Sequence, residues 1–388
     1  MSSSLNLQRK LHGKLFIRSK IKLNTRKNLS LAYTPGVAEV VNYIYKNKKS
    51  VYDLTIKCNS IAVVTDGSAV LGLGNVGPEA ALPVMEGKCA IFKEFAGIDA
   101  YPICLNTQKT DEIVSTIKNI SPGFAAINLE DISAPRCFEI ENSLQNLGIP
   151  VMHDDQHATA VVVLAGLINA TRVVNKKLKD CKVVIVGAGA AGTAITKLLN
   201  YYGIKKLLIL DSQGIISSKR NDLTAYKKEL LSILPNISET DLDCHSGLPR
   251  RSAPRNDLKI ATEKADILIG VSVKNIFTRE IINSMNKNPI VFALANPDPE
   301  IIPSQAQKFG VKIIATGRSD YPNQINNALV FPGFFKGLIE KRIKQVTMEM
   351  KLRAAINLAG LVKKPKTNYI IPSIFDKRVV PTIAHSLE

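Results

Sequence analysis

The stretch Val183-Val-Ile-Val-Gly-Ala-Gly-Ala-Ala-Gly192, followed by Leu207-Leu-Ile-Leu-Asp211, decides the fold of this chain. Four β-branched residues in a row predict a buried strand, because such stiff side chains suit a pleated surface covered on both faces. Gly187, Gly189 and Gly192 come next. In that spacing the first glycine permits a tight turn, the second lets a ligand approach the backbone, and the third lets the helix pack close to the strand. The amides at the start of the Ala-rich helix, at Ala190 and Ala191, then point at a pyrophosphate. Asp211 ends the next apolar run, 24 positions beyond Gly187, where a carboxylate accepts hydrogen bonds from a ribose. A lone glycine pattern is weak. With a strand before it, a helix after it and an acid at the next strand end, it reads as a dinucleotide site; the plainer alternative is a turn kept for packing alone.

Working outward, strand-like runs recur at 266–269, 290–294 and 311–314, with helical spacers between most of them. That is the pattern of a doubly wound parallel sheet. Residues 1 to about 155 hold turn signals at Pro35-Gly36 and Pro122-Gly123, and short apolar runs at 61–64 and 125–129. They read as a smaller α/β domain. The expected division is 1–157 and 158–388, with a helix entering the second domain from about 160. The spacer at 212–264 is too long for one crossover. Its segment from Cys244 to Asn256 has three arginines, two prolines and no hydrophobic periodicity, so a disordered surface insertion is expected over about 240–258. After about residue 340 a helix and a short extended tail are expected.

Composition narrows the class. The chain has 388 residues, 45% hydrophobic and 22% charged, which is ordinary for a soluble globular protein. No apolar run approaches the roughly 20 residues that span a bilayer. The six cysteines are scattered without a CxxC pair, which suits reduced thiols in a cytoplasmic setting. A formal charge of +18 raises nucleic acid as a partner, but the excess is spread out, lysine-rich and accompanied by no tryptophan. Such a field also steers small anions inward. The basic start, with no acid before Glu39, has the composition of a transit peptide, yet it runs into Leu29-Ser-Leu-Ala-Tyr-Thr-Pro-Gly36 without a cleavage-like break.

Chemistry concentrates at apolar-run ends in the first half. Glu130-Asp131 follow the run at 125–129, and Asp154-Asp155 follow Ile149-Pro-Val-Met152. Hard oxygen ligands at strand ends suit Mg²⁺ or Mn²⁺, although Asp154-Asp155 before a helix also suit a cap. His153 and His157 read as local structure. Lys88 begins an apolar stretch, where desolvation lowers an amine toward a useful base; as one lysine among many, an exposed position is the plainer expectation. Tyr33, in Ala-Tyr-Thr-Pro-Gly, is either an acid or a turn aromatic.

Six phrases taken together resemble the malic enzyme family, in its compact bacterial form: 30–38, 65–78, 127–132, 153–157, 295–299 and 316–327. The resemblance runs from about 13 to 375, interrupted near 215–262. It implies an N-terminal α/β malic domain followed by a Rossmann-like NAD(P)-binding domain, without the phosphate-acetyltransferase-like domain that many relatives carry. It implies oxidative decarboxylation of malate to pyruvate and CO₂, with NADP or NAD and Mg²⁺ or Mn²⁺, no nucleic acid or membrane partner, and a homodimer or larger homo-oligomer. By the same resemblance Lys88 is the base, Tyr33 the acid, and Glu130, Asp131 and Asp155 the metal ligands, with Asp154 behind them. Asn296, Asn326 and Asn327 hold substrate, Asn296 also the nicotinamide end. Asp211 favours NAD, whereas Ser212, Lys219 and Arg220 are placed to receive a 2′-phosphate, and NADP is the slight preference. The rival readings are a hydroxyacid dehydrogenase that stops at the keto acid and a decayed, inactive homologue.

Overall fold

The apolar runs form two parallel sheets in a computed structural model that describes residues 3–70, 72–234 and 253–387. The first contains β1 (Ser60–Thr65), β2 (Asp99–Cys104), β3 (Ala126–Leu129) and β4 (Val151–His153) in the order β2-β1-β3-β4. The second contains β5 (Lys182–Val186), β6 (Lys206–Asp211), β7 (Gly214–Ile215), β8 (Ile267–Gly270), β9 (Ile290–Ala293) and β10 (Ile313–Thr316). Its order is β10-β9-β8-β5-β6-β7, parallel except for β7. Register pairing puts Val183 beside both Leu207 and Ile267, Ile267 beside Ile290, and Ile290 beside Ile313. Every member of that row is fully buried, which is why these strands read as continuous apolar runs rather than alternating ones.

The two sheets share one core. Ile61 and Val63 of the first belong to the same apolar cluster as Val183, Ile185 and Phe292 of the second. The helix Asp154–Val173 joins them, with Val161, Val162, Val163 and Leu164 buried. It starts at Asp154, several residues before the expected entry near 160. Asp154 and Asp155 form its first turn without capping it by a side-chain bond, and negative charge there suits the helix dipole.

Two expectations about irregular segments need correction. The tail ends in a helix, Val379–His385, because Val379, Ile383 and Ala384 bury one face. Backbone atoms of Val380 and Ala384 lie where Gly333 and Gly337 of the helix Phe331–Glu340 leave room. Of the expected insertion, 240–252 lies outside the described residues. Its end, however, is the helix Ala253–Thr262, anchored by buried Leu258 and Ala261.

At the turn after β5, Gly187 has φ 115°, a left-handed conformation that favours glycine. A Cβ on Gly192 would collide with the carbonyl of Gly187, whereas one on Gly189 meets open space. Gly192→Ala is therefore expected to lose about 1–3 kcal/mol by overpacking, and Gly189→Ala less than about 0.5 kcal/mol. Denaturant unfolding of the two variants checks this; equal losses would contradict the packing argument.

Candidate functional site

The carboxyl ends of both sheets open onto one cleft of about 830 Å³. From the first sheet come Glu130, Asp131 and Asp155, each placed just beyond a strand; from the second come Gly189, Ser272, Asn296 and Gly317. Lys88, on the helix Pro78–Ala96, and Asn326 and Asn327 close the walls. Open α/β sheets place ligands at this edge because strand ends release backbone groups and helices begin there.

Ligand oxygens of Glu130, Asp154 and Asp155 lie within 4.8 Å of one another. Asp131, expected as a ligand, is not in that set, and Asp154, expected behind it, is. Asp131 lines the cleft at φ 51° and donates its amide to Asp155 Oδ2 at 2.9 Å. Lys88 Nζ lies 2.5 Å from both Glu130 Oε2 and Asp154 Oδ2, and 4.4 Å above the ring of Phe331. Asn327 donates to the same Asp154 oxygen.

Lys88 is 7% exposed, so the surface position suggested by composition is not adopted. Nor is its amine a ready base in this arrangement. Burial alone would lower it, but Asp154, Glu130 and Asp155 outweigh burial and hold the ammonium well above lysine's ordinary value. Burial pushes Asp154 up to about 6 despite Lys88, and raises Glu130 well above the usual carboxylate range. Ionised together, three carboxylates beside one ammonium would carry two uncompensated negative charges, which burial resists by raising the proton affinities of Glu130 and Asp154. Asp154 Oδ1 is buried without a hydrogen-bond partner. Hard oxygens, a deficit of two charges and an unsatisfied lone pair fit a divalent cation.

The dinucleotide end departs from expectation at Asp211. Its carboxylate is gripped by Arg220 at 2.7 and 3.1 Å and by Lys227 at 2.6 Å, and it accepts the Gln213 amide at 2.8 Å. Burial would raise this carboxyl; those bonds hold it below the usual range. Lys227 carried no signal in the sequence, being one of a Lys-Lys pair on a helix. Tyr33 is not in the cleft: it ends the helix Arg26–Ala32 and is 68% exposed. Asn326 is held by donating to Gly317 O and accepting from the Ala328 amide.

Two buried acids escaped the sequence reading. Glu300, one position past the phrase ending at Pro299, accepts the amides of Ser272 at 2.9 Å and Ala295 at 3.1 Å. It thereby ties together the loops after β8 and β9 that line the cleft. Glu141 accepts the His153 amide at 2.8 Å, Gln156 Nε2 at 3.2 Å and His157 Nε2 at 2.9 Å, bracing the turn that carries Asp154 and Asp155. Both histidines are local structure in this sense, and neither joins the carboxylate set.

Comparison with known proteins adds independent findings. Family models described as "Malic enzyme, N-terminal domain" and "Malic enzyme, NAD binding domain" match residues 12–145 and 156–385. The chain is 48% identical to the bifunctional malic/malolactic enzyme of Bacillus subtilis, over 99% of this chain and 91% of that protein. It is 49% identical to the NAD-dependent malic enzyme of Geobacillus stearothermophilus, over 97% of this chain and 76% of that one. A crystal structure of an NAD-dependent malic enzyme from Thermotoga maritima superimposes with a TM-score of 0.92 at 44% identity, covering 100% and 99% of the two chains.

The Glu141 brace gives a pH signature. Burial would raise its carboxyl, but His157, Lys351 and His153 bring it down to about 2. A folded value below the unfolded one stabilises above about pH 4.5, and the gain disappears as pH falls toward 2. Its size is on the order of 3 kcal/mol. Thermal melts between those limits should fall steeply for the native chain and flatten for Glu141→Gln; parallel curves would contradict the assignment.

Proposed function

Because the chain belongs to the malic enzyme family, and so oxidatively decarboxylates malate to pyruvate and CO₂ with NAD(P)⁺ as oxidant, we propose that the carboxylate cleft is where it does so. The observation carrying this reading is the two-charge deficit around Lys88 at the meeting of both sheets' carboxyl ends. Glu130, Asp154 and Asp155 would hold Mg²⁺ or Mn²⁺, with Asp131 beside them. Bound there, the ion supplies Lewis-acid stabilisation of the charge that grows on the C2 oxygen as CO₂ leaves.

Lys88 takes the C2 hydroxyl proton. Its burial favours the neutral amine once Glu130 and Asp154 no longer clamp its ammonium. Asn296, Asn326 and Asn327 would orient the substrate and the nicotinamide of a bound dinucleotide, which would supply the hydride acceptor for the C2 hydrogen. The C3–C4 bond then breaks, leaving its electron pair on C3 of the enolate, and Tyr33 supplies the proton that gives pyruvate. The substrate and metal unit would be residues 1–157 and the cofactor unit 158–388.

Tyr33 lies outside its own protomer's cleft, so it would act from a second copy. The helices Ser3–Leu11, Arg26–Ala32 and Val37–Lys46 bury no residue. Around them Phe16 is 85% exposed, Ile17 87% and Tyr45 81%, an apolar surface suited to pairing with its own image in a homodimer. The five described cysteines are free, which suits the cytoplasm. No helix among the described residues is long and apolar enough to cross a membrane.

For the cofactor we favour NADP. Asp211 would repel a 2′-phosphate, but Arg220, shared with Asp222, and Lys227 already pair with it and bring positive charge to the ribose end. Alanine at either position is expected to lower kcat/KM for NADP⁺ about 10–100-fold, the loss of a charged hydrogen bond, and to leave NAD⁺ kinetics nearly unchanged. Equal losses with both dinucleotides would contradict the preference.

Lys88→Met and Tyr33→Phe should each lower kcat by about 10²–10⁴-fold. Mixed after dissociation and reassociation, the two variants should regain malate-dependent NAD(P)H formation, because a mixed dimer holds one site with both residues intact. No recovery in verified mixed dimers would place Tyr33 in its own protomer's site or outside the chemistry.

A further inference from the structure

A second cavity, of about 230 Å³, opens on another face of the helix Asp154–Val173 and shares no lining residue with the carboxylate cleft. Phe138 and Glu141 of the helix Arg136–Ser143 form one wall, and Thr193 and Lys197 of the helix Ala190–Tyr202 form another. Lys351, of the helix Met348–Gly360, lines it as well.

The acids around this cavity are already engaged. Glu141 accepts from His153, Gln156 and His157, and Glu229 Oε1 accepts from Lys197 at 2.7 Å. Lys351 is not so satisfied. It is 7% exposed, and its ammonium meets His157 Nδ1 at 2.9 Å. An ammonium only donates, so Nδ1 accepts and Nε2 carries the hydrogen given to Glu141. Lys351 therefore has two N–H groups left, with no carboxylate at ion-pair distance among the described residues. Burial accordingly pulls its ammonium down to about 8. Independently, Thr193 is among the residues lining the same cavity, and its Oγ1 is buried without a hydrogen-bond partner among the described residues. Buried donors of both kinds are normally satisfied, by protein, water or ligand.

We propose that this cavity is a second binding site, for a small oxyanion whose carboxylate or phosphate oxygens accept from Lys351 Nζ and Thr193 Oγ1. The site is distinct from the malate cleft and stands whether or not the reading of that cleft holds. Because His157 and Glu141 connect Lys351 to the His153 amide, the anion would sit one short chain of hydrogen bonds from Asp154 and act as an effector rather than a substrate.

Isothermal titration of the full-length protein at constant ionic strength, with inorganic phosphate in one arm and malonate in the other, tests this. Lys351→Met and Thr193→Val are the variants. Thr193→Val removes an unsatisfied hydroxyl at nearly constant shape and should fold at least as well as the native chain, so the test survives if Lys351→Met does not fold. Saturable binding of either probe, weakened about 10-fold or more by each folded variant while dinucleotide binding persists, is expected. The arm that binds identifies the oxyanion. Absence of saturable binding in both arms, or binding that Thr193→Val leaves unchanged, overturns the proposal.

Discussion

The arrangement depends on an unfavourable concentration of charge. Glu130 and Asp154 are 4% and 0% exposed, Asp155 stands beside them, and Lys88 is the cation that reaches two of the three. Buried carboxylates that outnumber their partners are costly, and their raised proton affinities express that cost. The rest of the fold maintains the crowding. Parallel strands end together at one edge, Glu141 braces the first turn below Asp154, and Glu300 ties the loops that face the acids from the second sheet. Under the proposed function such a site would take a divalent ion, and the carboxylates would release Lys88 for base chemistry on gaining that partner.

The same economy of position explains why two chemistries meet in one cleft. Each sheet delivers its functional groups at carboxyl ends, the first as carboxylates after β3 and β4, the second as glycine amides after β5 and asparagines after β9 and β10. The shared core and the helix Asp154–Val173 hold the two edges face to face. Hydride transfer needs the substrate carbon and nicotinamide in contact, so fixing the two sheets relative to each other is itself catalytic preparation.

Much of this was legible in the sequence, for identifiable reasons. The strands of the second sheet announced themselves because both faces are covered and the runs are purely apolar. The glycine turn did so because backbone sterics allow few substitutes, as the collision at Gly192 illustrates. Glu130 and Asp155 were visible because they follow apolar runs directly. The short β7 escaped because two residues carry no periodicity. The tail helix was missed because its apolar face is short and broken by Pro381. Pairwise electrostatics left no trace at all: the state of Lys88, the neutralisation of Asp211 by Lys227 and the brace from Glu141 all join residues distant in the chain. The exposed position of Tyr33 belongs to the same class, because exposure is set by what distant segments of the chain cover.

The account is tested most directly by the anomalous difference map of a crystal soaked in Mn²⁺. It predicts one strong peak per protomer coordinated by Glu130, Asp154 and Asp155, with Lys88 Nζ withdrawn from both of its present carboxylate partners. A peak elsewhere, or density showing Lys88 still bridging Glu130 and Asp154 beside a bound ion, would contradict it.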